Sequence, residues 1–318
     1  MNNGMSQKGP SIVICAEREK IEHLGEDAYA FSFRNGNNGY IAVYDGCGGM
    51  GARKYSKANN KTGARIASKL AAYLTDQFYN DQQFKFDGLD YGRLKIKFKE
   101  SFNKVKEAIE NDGGLMLGGD LFKAIPTTVS IVGLQIEMNG KLHCEFLWAG
   151  DSRGYFLDAD GICQITKDDL QTDEDPFTNL RSDGRMSNVV YADGDFYINE
   201  RDVVLDQPVM VISSTDGAFG YYSTPMEFEY IILRTLFESN SAEEWEKNLT
   251  NAIIPITGDD FALCIAAYGF QNYREMKKYY SKRYRYISNN FISKIEEDTT
   301  EQELKQLWDK YKTNYYRR

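Results

Sequence analysis

Short apolar runs separated by turn residues fill the first half of the chain: SIVIC, AYAFSF, YIAVYD, TTVSIVGLQI and LHCEFLWAG, with Asn35, Gly36, Asn139 and Gly140 among the breaks. Their β-branched and aromatic content predicts antiparallel strands. Two stretches change period. Ile66, Leu70, Tyr73, Leu74 and Phe78 fall on one face at helical spacing with Ala67 and Ala71 beside them, and Leu94, Phe98, Phe102, Val105 and Ile109 do the same from about Tyr91 to Ile109. Each predicts a helix with a single apolar stripe, the kind that lies on a sheet. The second half repeats the theme, with strands around VMVISST and FALCIAAY and helices around MEFEYIILRTLF and AEEWEKNLTNAI. This succession predicts an α+β fold of helices covering stacked antiparallel sheets rather than alternating βαβ units.

Two segments depart from that pattern. Between Asp168 and Asp202 the periodicity weakens and acids accumulate (Asp168, Asp169, Asp173, Glu174, Asp175, Asp183, Asp193, Asp195, Glu200, Asp202), which predicts a long surface excursion. From Gln271 to Arg318 the sign reverses, with 12 Lys and Arg against seven Asp and Glu and eight interleaved tyrosines. The expected organisation is a domain over 1–270 and a basic, Tyr-rich helical tail over 271–318.

Composition narrows the function classes. With 42% apolar and 27% charged residues in 318, the chain can bury a full core and is neither fibrous nor disordered. The formal charge of −9 makes the surface as a whole repel nucleic-acid phosphates. Five scattered cysteines without a CxxC give neither a disulfide framework nor a thiolate zinc site. No stretch approaches ~18 consecutive apolar residues, and the first 20 residues have no leader-like apolar core. The expectation is a soluble, cytoplasmic protein without membrane or nucleic-acid partners.

His23 and His143 are the only histidines, so carboxylates must carry any chemistry. Aspartates stand at apparent strand ends next to glycine: Asp45 after YIAVY, Asp151 in LWAGDSRG, Asp216 in VISSTDG, and Asp259 with Asp260 before FALCIA. A charge at the rim of a core is costly unless it is paired or bound to a cation. Carboxylate and carbonyl oxygens suit Mg²⁺ or Mn²⁺. Several of them can hold two ions about 3.5–4 Å apart sharing a bridging hydroxide that attacks phosphorus in line, with no protein nucleophile. A single Asp-Gly is more simply a turn, but its repetition in matching contexts argues for metal.

GCGGMG at Gly46 to Gly51 also fits a dinucleotide fingerprint, following a strand and preceding a helix. Asp45 would repel the pyrophosphate, and the position ~20 residues on, where an acid is required, falls in the helix at Ile66 to Leu74. A Walker loop fails too, because the Gly-Lys-Ser/Thr ending is missing.

Taken in order, GEDAYAF, AVYDGCGGMG, PTTV, WAGDSRGYF, ISSTDGAFG and GDDFAL resemble the metal-dependent serine/threonine phosphatases of type 2C (PPM type) over about residues 10 to 268. The resemblance implies an αββα sandwich with a two-metal site at one edge, and phosphoserine and phosphothreonine in proteins as substrate. It implies Asp45 as the ligand bridging both ions, the Gly46 carbonyl on one, and Asp216 and Asp259 on the other. Glu26 and Asp27 would hold metal-bound waters, and Asp151 with Asp216 a weaker third ion. Asp260 stands where the family usually has Asn, and the 168–202 stretch matches its variable flap.

Two further positions depart from the family pattern. Glu22 occupies the place of the phosphate-gripping Arg, so the grip is expected from another cation, Arg18 ahead of Lys20 and His23. Cys47 stands where many members have His, and no histidine general acid is expected. The alternative reading is a degenerate phosphatase fold that binds metal or a partner without turnover, which Glu22 favours. A third, in which the basic Tyr-rich tail acts as an adaptor on nucleic acid or a membrane surface, rests on KKYYSKRYRY alone.

Overall fold

The computed structural model describes residues 9–34, 37–81, 91–110, 123–172, 175–181 and 184–316. The predicted turn at Asn35 and Gly36, and Asp173, Glu174 and Asp183 of the acidic stretch, lie outside the described residues. Ten strands build two five-stranded antiparallel sheets: β1 (Ile12–Arg18), β2 (Ala28–Arg34), β3 (Asn38–Tyr44), β4 (Val129–Ile136), β5 (Leu142–Ala149), β6 (Arg153–Asp158), β7 (Gly161–Gln164), β8 (Asn199–Leu205), β9 (Val209–Ser214) and β10 (Phe261–Tyr268). One sheet runs β1-β10-β9-β6-β7 and the other β8-β5-β4-β3-β2. Short pairs, 190–192 with 124–127 and 54–55 with 61–62, sit beside them.

Alternation along the strands sorts side chains into three apolar layers. Val43, Phe146, Val211 and Cys264 meet between the sheets. On the outer face of the first sheet, Leu263 and Ile265 pack against helices α3 (Pro225–Glu238), α4 (Ala242–Ile253), α5 (Tyr273–Asn290) and α6 (Glu301–Tyr315) through Leu236, Trp245, Tyr280 and Trp308. On the second, Ala42, Tyr44 and Ile131 pack against α1 (Gly63–Asp81) and α2 (Tyr91–Ile109) through Ala67, Leu74, Phe98 and Phe102. The result is the predicted αββα sandwich. No helix among the described residues is long and apolar enough to cross a membrane.

The helices after Gln271 belong to this packing. Their tyrosines turn inward: Tyr280 donates to the Leu157 carbonyl at 2.7 Å and Tyr315 to Gln164 Oε1 at 2.9 Å. Arg283 pairs with the fully buried Glu229 at 2.6 Å, and the same carboxylate accepts from Tyr311 and, at 3.2 Å, from the Ile162 N–H. Each partner satisfies a charge that burial alone would make costly.

One part of the acidic stretch differs from the sequence reading. Asn199–Leu205 is the edge strand β8, pairing Asp202 with Glu145 and Leu205 with Leu142. As an edge strand, NERDVVL carries three consecutive charges, Glu200, Arg201 and Asp202, followed by three consecutive apolar residues, which masks its period.

Candidate metal centre

The predicted site residues converge where strand ends meet at one rim of the sandwich. Asp45 follows β3, Asp216 follows β9 by one residue, Asp259 and Asp260 precede β10, Glu26 and Asp27 precede β2, and Asp151 lies in the turn between β5 and β6. Antiparallel pairing makes these ends neighbours: Ala28 faces Tyr44, Ser214 faces both Leu263 and Arg153, and Val129 faces Ala149.

Local structure fixes the backbone at each position. The Asp45 carbonyl accepts from Thr127 Oγ1 and the Thr128 N–H, both at 2.8 Å, and the Asp45 N–H donates to Thr128 Oγ1 at 3.1 Å. The PTTV segment therefore clamps the main chain and leaves the Asp45 carboxylate free to point into the site. Gly46 pairs with Thr127 so closely beneath α1 that a Cβ would stand 2.5 Å from the Ala64 carbonyl oxygen. At Gly217 a Cβ would fall 1.8 Å from the Asp260 carbonyl oxygen, so only glycine lets the turn after Asp216 seat against the Asp259–Asp260 pair. Asp260 accepts from the backbone N–H groups of Lys20 and Glu26, both at 2.6 Å. It fastens the loop before β2 to the start of β10.

Glu26, Asp27, Asp45, Asp259 and Asp260 line one cavity of about 290 Å³, and no basic side chain lines it among the described residues. Asp151 and Asp216 line a neighbouring cavity of about 650 Å³ together with Arg153, Asp168 and Arg181. The Asp45 and Asp216 carboxyl groups are close enough to influence each other's protonation. Burial pushes Asp27, Asp45, Asp151 and Asp216 up from the usual carboxylate range, Asp151 to about 8, and their mutual repulsion adds to it. Asp27 Oδ2 and Asp151 Oδ1 are buried without a hydrogen-bond partner. Crowded, partly orphaned carboxylate oxygens, in the smaller cavity with no basic side chain beside them, fit hard divalent cations such as Mg²⁺ or Mn²⁺.

Cys47 is buried beside these acids, and burial together with Asp45 and Asp151 pushes its thiol well up. Arg18 ends β1 opposite Phe261 and lines neither cavity. The exposed His23 and Glu22 side chains approach each other at 3.6 Å. Sequence reasoning missed the cations that hold the loop: Lys61 donates to the His23 carbonyl at 3.2 Å, Lys69 to the Asp27 carbonyl at 2.6 Å, and Arg65 to Glu19 Oε1 at 2.9 Å. Their four-residue spacing along the start of the α1 segment was the available signal. Away from the rim, His143, Glu145 and Asp202 bring ligand atoms within 4.8 Å of one another. That group is occupied with itself, His143 facing Asp202 at 3.8 Å and Glu145 accepting from Tyr91.

No family model and no curated protein matches this sequence. Solved structures do match. Stp1, a serine/threonine phosphatase from Staphylococcus aureus, superposes with a TM-score of 0.56 at 17% identity, covering 85% of this chain and 100% of its own. The PPM phosphatase MsPP from Mycobacterium smegmatis, in complex with cacodylate, gives 0.55 at 11% identity over 82% of this chain and 100% of its own. This chain has the PPM-type phosphatase fold. The catalytic domain of the phosphatase PstP, in complex with two manganese ions, gives 0.52 at 16% identity over 80% of this chain and 98% of its own. These PPM-type neighbours are matched over nearly their full length while 15 to 20% of this chain falls outside the match, so it is larger than the PPM-type unit they share with it.

Proposed function

We propose that this chain is a metal-dependent phosphatase of the PPM family that hydrolyses phosphoserine and phosphothreonine in proteins. The observation that carries the reading is the crowding of carboxylates at the rim, where Glu26, Asp27, Asp45, Asp259 and Asp260 share a cavity that no basic side chain among the described residues lines, with Asp27 Oδ2 and Asp151 Oδ1 lacking partners. Asp45, the Gly46 carbonyl, Asp216 and Asp259 would hold two Mn²⁺ or Mg²⁺ ions, and Asp151 with Asp216 a third. Bound there, such ions supply the positive charge that activates water and neutralises a phosphoryl group.

The protein's own groups do the remaining work. The Thr127–Thr128 clamp keeps Asp45 from swinging, and Gly217 lets Asp216 and Asp259 share a wall of the site. Glu26 and Asp27 accept hydrogen bonds from water and so orient it, while Thr62 holds Glu26 in place. The acidic 168–202 flap beside the larger cavity favours basic or neutral peptide over acidic substrate. The reading takes the phosphatase unit as residues 1–270, with 271–318 as a helical addition, in a soluble cytoplasmic protein whose partner is a phosphorylated protein.

Hydrolysis of a phosphothreonine peptide and of p-nitrophenyl phosphate, with Mn²⁺ and then with EDTA, tests this directly. Activity is expected only with the ion, and Asp45→Ala and Asp216→Ala are each expected to abolish it while keeping a native circular dichroism spectrum. Hydrolysis that survives complete chelation refutes the reading. Glu22, in place of a phosphate-gripping cation, favours a second one, a fold that binds metal without turnover; tight Mn²⁺ binding by calorimetry without any hydrolysis establishes it.

A further inference from the structure

Cys15 and Cys264 stand directly opposite each other on β1 and β10, with their sulfurs 2.7 Å apart. Both are free thiols, and 249 positions separate them in sequence. The Cys15 N–H turns away from β10 and donates to Glu246 Oε2 on α4 at 3.3 Å. They therefore form the cross-strand pair that exchanges no backbone hydrogen bonds, in which side chains approach most closely, Cα atoms being about 4.5 Å apart in general. That spacing lies inside the range a disulfide spans, about 4.4–6.8 Å. The two thiols differ in access. Cys15 is part-exposed on an edge strand, whereas Cys264 is buried, its sulfur facing the Ala42 carbonyl of the other sheet at 3.9 Å.

We propose that Cys15 and Cys264 form a reversible intramolecular disulfide, a modification site separate from the carboxylate rim. A peroxide is the oxidant. The Cys15 sulfur attacks a peroxide oxygen, the O–O bond breaks, and Cys15 sulfenic acid and water form. The Cys264 sulfur then attacks the oxidised sulfur, and the departing hydroxide takes the Cys264 proton and leaves as a second water. Two thiols and one hydrogen peroxide give one disulfide and two waters. Burial and the nearby Cys15, Glu17 and Glu246 hold the Cys264 thiol up, so it waits protonated for its neighbour to be oxidised first. No backbone shift is required, because the strands already set the sulfurs in contact. The bond fastens edge strand β1, and so the root of the loop that Asp260 holds, to the strand that follows Asp259 and Asp260.

The test is oxidation of the intact protein with hydrogen peroxide, alkylation under denaturing conditions and mass spectrometry. Three of the five thiols are expected to remain alkylatable. A non-reduced digest should contain the Cys15 peptide joined to the Cys264 peptide, dithiothreitol should restore all thiols, and the oxidised protein should melt at a higher temperature because its unfolded chain is constrained. Cys15→Ser should abolish both the joined peptide and the rise in melting temperature, whereas Cys47→Ser should leave both intact. The proposal is overturned if all five thiols alkylate after oxidation, if the joined peptide contains another pair, or if Cys15 accumulates as sulfinic acid. Because the wild-type digest alone decides these outcomes, poor folding of a variant does not rescue it.

Discussion

Arg153 closes on Asp168 and not on Asp151, its neighbour two residues away: Nε meets Oδ1 at 2.9 Å and Nη2 meets Oδ2 at 2.6 Å. The guanidinium hydrogen bonds thus go to Asp168, and Asp151 Oδ1 keeps no hydrogen-bond partner. The guanidinium also lies 4.3 Å from the centre of the Phe219 ring, in the short helix that begins at Asp216, and Asn179 donates to Asp168 at 2.9 Å. One buried ion pair thus joins the start of the flap to the wall of the site.

Asp168→Ala leaves that guanidinium buried and unpaired. A loss of about 3–5 kcal/mol of unfolding free energy is expected, the usual cost of breaking a buried pair from one side. Urea denaturation measures it. A change below about 1 kcal/mol would mean that water replaces the carboxylate and that the flap is not held through this pair.

The carboxylates give the metal-free protein a distinctive pH response. Asp151, pushed to about 8 by burial and by Asp216 and Asp168, binds its proton more tightly in the folded chain than in the unfolded one. Stability therefore falls as pH rises from about 4 through about 8, the reverse of an ion-paired carboxylate. Thermal melting in EDTA is expected to show this fall, Asp151→Asn to flatten part of it, and Mn²⁺ to reverse it most strongly at the alkaline end, where cations no longer compete with protons. A metal-free melting temperature that climbs over the same range contradicts the crowding described here.

Much of this was legible in the sequence because strong periods coincide with real layers. The apolar stripe from Ile66 to Phe78 and the one from Leu94 to Ile109 lie on the helices Gly63–Asp81 and Tyr91–Ile109. The aspartates were legible as a set because each stands at one end of an apolar run, near glycine, where the strand ends of a rim lie. Strand β8 was hidden because the consecutive charges Glu200, Arg201 and Asp202 fall on both of its faces. The pairing of Arg153 with Asp168 depends on a tertiary contact that no local pattern encodes, and the four-residue spacing of the α1 cations puts them on one face without saying that the Glu26–Asp27 loop lies over it. The inward tyrosines of 271–318 were ambiguous for a related reason, since cations and aromatics interleave in the same way on a helix that packs and on one that binds.

Cys47→Ser is expected to retain activity within a few fold. The thiol is buried and surrounded by acids, and its sulfur donates to the Asp45 carbonyl at 3.8 Å. A thiolate nucleophile needs the opposite setting. Loss of more than about a thousandfold, the scale of removing a nucleophile, would transfer the chemistry to this sulfur.

Substrate phosphate still needs a cationic hydrogen-bond donor, and a carboxylate at Glu22 offers neither the charge nor the donor. Arg18, preferred from its planar fork, follows Ile14 and Ala16 at a spacing of two, which puts it on the helix-covered face of β1 and not toward the other sheet. Lys20 lies nearer the carboxylates: its N–H is held by Asp260 and its ammonium donates to the Gly258 carbonyl, next to Asp259. A charge-assisted hydrogen bond of about 1.5–3 kcal/mol corresponds to a rise in KM of tenfold or more when it is removed. Steady-state kinetics with p-nitrophenyl phosphate therefore compares Lys20→Ala with Arg18→Ala. Lys20→Ala is expected to raise KM by about tenfold with kcat little changed, Arg18→Ala to have the smaller effect, and Glu22→Arg to lower KM by restoring a guanidinium at the loop. The reverse order returns the grip to Arg18. If Glu22→Arg creates activity where the natural chain has none, the natural protein binds metal without turning over, and the cation at this single position is what separates the two states.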